Sequence, residues 1–267
     1  LDSSILWWES ASINGQTVMV PKVYLSPKDV TVNSGSVIAG NNVQLTGGNI
    51  TNSGSTLAAN NNLFIGSQSS ISNLNAGLIQ AGSALQLGAL GDINNIGSAI
   101  SGKTVQLEST GGSINNITQT EQLMASGSGA RGESDSFADT FVNPVASITA
   151  QDGMSLVAGN DINIVGADVA AGKNILMLAG NDLNLNAIET SQSASRGKSE
   201  THSTDNARTT ITAGGDLTLV AGQDINSQAA GLAAEGDVAM QAGRDVNLMT
   251  EETTQGDSYK AKKKVEI

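Results

Sequence analysis

Four aspartates in the second half of the chain stand in a pattern that could support chemistry. Asp161, Asp182, Asp224 and Asp245 each follow an Ala-Gly-x step, and each precedes an apolar residue and an asparagine: Asn163, Asn184, Asn226 and Asn247. Carboxylates gathered in one row could ligate calcium through their oxygens, or two of them could act as acid and base on a glycosidic bond. The same residues have a structural use, since a turn aspartate accepts backbone N–H groups at its own turn. An active site marks one unit of a chain, whereas this motif marks every C-terminal unit, which favours the structural use. The glycine-rich calcium nonapeptide is absent, because Gly214-Gly215-Asp216-Leu217 lacks its spacing. No metal and no cofactor is therefore expected.

What positions these residues is a repeat. The phrase Val157-Ala158-Gly159-Asn160-Asp161-Ile162-Asn163-Ile164 returns from Leu178 to Leu185, from Val220 to Asn226 and from Gln241 to Leu248. A period in this range signals a repeat architecture. Aligning one apolar position along the chain gives Ile50, Ile71, Ile93, Ile114, Ile162, Leu183, Ile225 and Val246, with most steps 21 or 22 residues and two longer ones, 48 and 42. Each unit carries an earlier apolar stretch, such as Leu63-Phe64-Ile65 or Leu217-Thr218-Leu219, and in several a third precedes it, as in Asp168-Val169-Ala170. Apolar residues alternate at i and i+2, and glycine interrupts often, so strands are predicted and helix is excluded. Propellers and sandwiches need longer units with hairpins between their strands. The pattern instead predicts a parallel β-helix of about eight 21-residue coils, each about 4.8 Å from the last. Right-handed crossovers are the rule between parallel strands. In such a stack Asn163, Asn184, Asn226 and Asn247 form an amide ladder.

Composition supports an ordered, turn-rich β structure, with 31 glycines, 3 prolines and only 14% charged residues. A net charge of −12 argues against binding nucleic acid through its phosphates. Aromatics make up 3% of the chain, too few for sugar-stacking platforms of a polysaccharide lyase or hydrolase, and no unit carries a distinctive charged cluster. There is no cysteine and hence no disulfide, and no apolar run long enough for a membrane-spanning helix. A start at Leu1, without methionine or signal sequence, reads as a piece of something larger.

The reading divides the chain into a capping or lead-in segment (1–35), coils 1–4 (36–117), a first excursion (118–146), coils 5–6 (147–188), a second excursion (189–209), coils 7–8 (210–249), and a tail or third excursion (250–267). In the first segment, strands containing Trp7-Trp8 and Thr17-Val18-Met19-Val20 flank an Asn14-Gly15 turn, as an aromatic platform or, preferably, a cap on the array. Both excursions leave just after the strand carrying the aligned position, so they emerge on one face as loops or hairpins. Phe137, Phe141 and Val142 favour a hairpin in the first and are candidate contact residues. His202, in the second, reads as a solvated loop residue, and Lys260, Lys262, Lys263 and Lys264 as a solvated tail.

Ala-Gly-x-Asp-[Ile/Leu/Val]-Asn at 21-residue spacing, with Thr212-Ala213-Gly214-Gly215-Asp216-Leu217-Thr218-Leu219, resembles the haemagglutinin repeat of filamentous-haemagglutinin-like exoproteins over about residues 36–255. The excursions starting Glu189-Thr190-Ser191-Gln192 and Glu252-Thr253-Thr254-Gln255 share that resemblance. The first four units depart from it, with Asn-Asn in place of Ala-Gly-x-Asp. The resemblance implies a right-handed β-helical segment of a large bacterial exoprotein, secreted through an outer-membrane partner transporter and displayed at the cell surface. It implies no enzymatic activity for the segment. Members are adhesins, or effectors of contact-dependent growth inhibition that carry a C-terminal toxin across a target cell's outer membrane. The inhibition type is the expectation, with a target-cell outer membrane or surface receptor as partner, no nucleic acid and no assigned oligomeric state; an adhesin filament and a β-helical polysaccharide enzyme are the alternatives.

Overall fold

A computed structural model describes residues 5–13, 16–24, 35–128 and 134–259, with side chains from residue 35 on outside the tip of the first excursion. Among the described residues every regular element is a strand. Three eight-stranded parallel sheets form the three faces of a β-solenoid. The first face runs from Val37–Gly40 to Gly231–Ala234, the second from Val43–Gly47 to Val238–Ala242, the third from Ile50–Ser53 to Val246–Met249. One strand from each face makes a coil, and the described residues form eight such coils.

Register holds from end to end. On the third face Ile50 pairs with Ile71, then Ile93, Ile114, Ile162, Leu183, Ile225 and Val246 in turn, so equivalent positions lie directly above one another. Period-two alternation sends every second side chain inward. Ile162 and Leu183 are fully buried, as are Ile65 and Leu156 of the second face and Ile79 and Ile148 of the first. Among the described residues the first and eighth coils are paired on one side only, and there Val37, Val246 and Leu248 are exposed.

The recurrent Ala-Gly pair has two separate causes. Ala158, Ala179 and Ala221 point into a corner of the core and are buried. The glycine after each lies against the previous coil: a Cβ on Gly180 would sit 2.0 Å from the carbonyl oxygen of Gly159, and one on Gly222 would sit 2.0 Å from that of Gly180. No side chain fits at that separation, so glycine is required by the approach of two backbones.

Both excursions are antiparallel hairpins, and they join. Thr120–Ser128 pairs with Ser134–Val142, which pairs with Ile188–Arg196, then Ser199–Ala207, then Gln255–Tyr259. The second hairpin, almost all Ser, Thr and charge, is as regular as the first, because its backbone groups are paired on both sides. The strands of this fourth sheet follow the coils one for one. The first strand leaves coil 4, the second returns to coil 5, the third leaves coil 6, the fourth returns to coil 7 and the fifth leaves coil 8. Hairpin strands and coils share the same spacing of about 4.8 Å, so a hairpin every second coil builds a sheet without gaps.

Ile5–Ile13 and Gln16–Tyr24 form a separate antiparallel pair that lies beside Thr120–Ser128. The Asn14-Gly15 turn, the side chains of Trp7 and Trp8, residues 129–133 and the lysine-rich tail from Lys260 lie outside the described residues. Gly180→Ala is expected to cost roughly 1–3 kcal/mol through backbone crowding, read as a lower urea midpoint with native-like β circular dichroism at low denaturant.

Candidate functional site

The polar residues singled out in sequence lie at the corner leading into the third face and along that face's outer surface. Each asparagine of the outer column donates its amide to the equivalent oxygen one coil back: Asn163 to Asn115 (2.8 Å), Asn184 to Asn163 (2.9 Å), Asn226 to Asn184 (2.9 Å) and Asn247 to Asn226 (2.9 Å). Asn115 donates likewise to Asn94 (2.8 Å). The steps from Asn115 to Asn163 and from Asn184 to Asn226 bridge the two excursions, so the ladder runs on as if the hairpins were absent.

The aspartates form a second column. The oxygen of Asp161 accepts the backbone N–H of Asp182 (3.1 Å), that of Asp182 accepts from Asp224 (3.0 Å), and that of Asp224 from Asp245 (3.1 Å). The donor is thus the next coil rather than the aspartate's own turn, a correction to the sequence reading with a physical cause. The corner N–H points along the rod, and stacking places the carboxylate of the previous coil directly beneath it. Earlier coils do the same with other oxygens: Asn49 accepts from Ser70 (3.3 Å), Asp92 from Ser113 (2.8 Å), and the Ser113 hydroxyl from Asp161 (3.3 Å). The position needs an acceptor and not a charge. Charge repulsion at the C-terminal end is offset by Arg244, whose guanidinium lies 2.7 Å from Asp224 and 4.0 Å from Asp182. Among the described residues no three carboxylate or imidazole groups converge as metal ligands would.

A third column went unread in the sequence. Asn52, Asn73, Asn95 and Asn116 lie inside the first four coils, all but fully buried. Their amides donate forward along the rod, Asn52 to Asn73 (2.7 Å), Asn73 to Asn95 (2.9 Å) and Asn95 to Asn116 (2.7 Å). Each also reaches backbone carbonyls at the corner between third and first faces, as Asn95 does at Ser98 (2.8 Å) and Ser147 (3.1 Å). From coil 5 the position becomes Ile164 and then Leu185. The signal was present: in Ile93-Asn94-Asn95-Ile96 the second asparagine lies two residues after a core isoleucine, hence on the inward side.

Buried threonines fasten the necks of the hairpins. Thr118 accepts the N–H of Ala146 (2.9 Å), joining the exit of the first excursion to its re-entry, and Thr209 donates to the carbonyl of Asn186 (2.7 Å) at the second. In the sheet beyond, Phe137 is 7% exposed, Phe141 is exposed and Val142 half-buried. Phe137 therefore offers little surface to a partner: it stands in the second strand, opposite Ala125 and Ala194, with strands on both sides. Met124 and Tyr259, exposed on the outermost strands, were not singled out in sequence. His202 is exposed and faces Ser193 and Gly256 across the sheet.

A solenoid of 21-residue coils, held by polar ladders and emitting hairpins at fixed coils, defines a class of structural repeat protein. The chain belongs to the haemagglutinin-repeat family: it matches the family described as "Hemagglutinin repeat" over residues 109–193 and 190–267, and that described as "Haemagglutinin repeat" over 25–69 and 56–127. Over its whole length it is 58% identical to a protein named 16S rRNA endonuclease CdiA from Enterobacter cloacae subsp. cloacae, and covers 8% of that relative. It is 50% identical, again over its whole length and 8% of the relative, to a tRNA nuclease CdiA from Escherichia coli. A Deoxyribonuclease CdiA from Dickeya dadantii is 39% identical over 88% of this chain and 7% of its own. The chain thus spans less than a tenth of the curated relatives it matches. No solved structure matches it. It is a filamentous-haemagglutinin-like repeat segment of the kind found in exoproteins of contact-dependent growth inhibition, which are secreted and exposed at the cell surface.

Burial should separate the two amide ladders. Asn95→Ala, which strands a buried acceptor and two corner carbonyls, is expected to cost about 1–3 kcal/mol. Asn184→Ala, at the half-exposed surface, is expected to cost about 0.5–1 kcal/mol. Equal losses in urea unfolding of the two variants would contradict this ordering.

Proposed function

We propose that this segment is a non-enzymatic scaffold that helps carry a C-terminal toxin across the outer membrane of a target cell. In this reading the coils hold the excursions at fixed heights, and the sheet they form, with Phe141, Met124 and Tyr259 exposed, meets the target surface or a receptor there. The observation that carries the reading is that relatives named for tRNA, 16S rRNA and DNA nucleases all share the segment at 39–58% identity. A part common to proteins with different nucleic acid targets does not choose among those targets. The net charge of −12 fits a segment with no phosphate-binding task of its own. The carboxylates of Asp92, Asp161, Asp182 and Asp224, accepting the backbone N–H of the next coil, perform a structural role. During export, the partner on this reading is an outer-membrane transporter in the producing cell.

The exposed side chains of Met124, Phe141 and Tyr259 also suit an adhesive filament, and one experiment separates the two. In a full-length exoprotein carrying this segment, residues 120–142 and 188–207 are each replaced by a short Gly-Ser turn. Surface display, adhesion to target cells and target-cell inhibition are then measured in co-culture. The delivery reading expects display and adhesion to persist while inhibition falls about tenfold or more. Loss of adhesion in step with inhibition would support the adhesin instead, and unchanged inhibition would exclude both roles for the sheet.

A further inference from the structure

Along the outside of the second face one column of side chains is interrupted. Its positions in coils 1–8 are Thr46, Gly66, Gly88, Glu108, Val157, Leu178, Val220 and Gln241, each directly above the last. Coils 5–7 fill the column with half-buried apolar side chains, whereas coils 2 and 3 leave it empty. The gap opens into a groove of about 680 Å³, floored by Gly66 and Gly88 with Gly47 and Gly48 at the adjoining corner.

Neither glycine is there for its backbone freedom, since neither has positive φ. Nor does packing demand Gly88, where an added Cβ would meet nothing within 4 Å. A glycine inside a strand weakens it and marks a place where something else comes close. Gly66 has a reason of its own: a Cβ there would lie 3.1 Å from one ring carbon of Phe64 and 3.2 Å from another. Its absence lets the ring fold down over the strand, and Phe64 remains 40% exposed, a large aromatic surface facing water. Leu90, 58% exposed, also lines the groove, and Thr46, Gln68, Glu108 and Thr110 supply hydroxyl, amide and carboxylate groups.

We infer that this groove is a binding site for a neutral glycan, with one sugar ring stacked on Phe64 above the glycine floor. The groove runs across the strands, so it offers no backbone edge to an extended peptide. An acyl chain would leave the rim hydroxyls and carboxylate facing hydrocarbon without partners. A sugar has an apolar ring face for the phenyl group and hydroxyls for the rim. Glu108 is the one charged side chain lining the groove, which disfavours an anionic polymer. The scarcity of aromatics, read in sequence as a lack of stacking platforms, does not apply here, since one ring in the right place makes a platform.

The test uses the full chain, maltohexaose and chitohexaose as sugar probes and octanoate as the acyl probe. Because the chain has only 3 phenylalanines, the Phe64 ring signals can be followed individually by NMR. At least one of the two sugars is expected to shift them at about millimolar concentration and to bind saturably. Phe64→Ala should weaken that binding by about tenfold or more. Gly88→Leu, which installs the residue that coil 6 carries at Leu178, should do the same without lowering the thermal midpoint. Binding of octanoate alone, of neither sugar, or of sugar with equal affinity to both variants would overturn the proposal. It does not depend on the delivery role, because a glycan site on the rod and the activity of the hairpin sheet are read by separate variants.

Discussion

Everything in this molecule depends on equivalent residues lying one above another at the spacing of β-strands. Hydrogen bonding between parallel strands sets that spacing, and each coil is then obliged to repeat what the last one did. A core isoleucine meets a core isoleucine, a corner glycine meets a carbonyl that leaves room for nothing else, and an amide meets an amide. The sequence repeats because the environment of each position is made by its own counterpart. In ordinary globular folds a core position is specified by several unrelated neighbours. Here two copies of the same position do most of that work, so a substitution tolerated once must be tolerated by the coils on either side.

The same constraint disciplines the parts that break the repeat. A hairpin inserted at an arbitrary coil would project alone, with its edges unpaired. Inserted at every second coil, it contributes two strands over the height of two coils, and adjacent hairpins meet edge to edge. The outer asparagine ladder shows how little the rod is disturbed, since its bonds across the excursions, 2.8 Å and 2.9 Å, match those within uninterrupted coils. The solenoid thus serves as a ruler for the fourth sheet. That explains how a segment as polar as Ser199–Ala207, with no apolar face of its own, is held as a regular strand.

Much of this is legible in the sequence alone. The aligned position from Ile50 to Val246 gave coil count and register, and alternation gave the inward face. What escaped notice fell into two kinds. The buried column of Asn52, Asn73, Asn95 and Asn116 obeyed the alternation rule but contradicted the habit of placing asparagine outside, so residue type overrode position. Pairing between excursions far apart in sequence left no local trace: neither strand announces its partner, and only the height at which each leaves the rod determines it. Phe137, expected as a contact residue, is buried for the same reason. An aromatic in an isolated loop suggests a contact, whereas the same residue with strands on both sides is covered.

A regular rod has a further consequence for recognition. Its ladders satisfy most backbone and amide groups, and each face presents the same short menu of side chains coil after coil, so regular parts have little capacity to discriminate between ligands. Selectivity must reside where the repeat is broken. Two breaks are large enough: the sheet built from the excursions, and the pair of glycines that opens the second face beside Phe64. They differ in physical kind. The sheet adds surface to the rod and suits a broad contact with another macromolecule, whereas the glycine gap removes surface and suits something small and flat. Their positions differ too, with the gap on the second face in coils 2 and 3 and the sheet emerging between the third and first faces from coil 4 onward. Two contacts can therefore be made on one rod without competing for the same face.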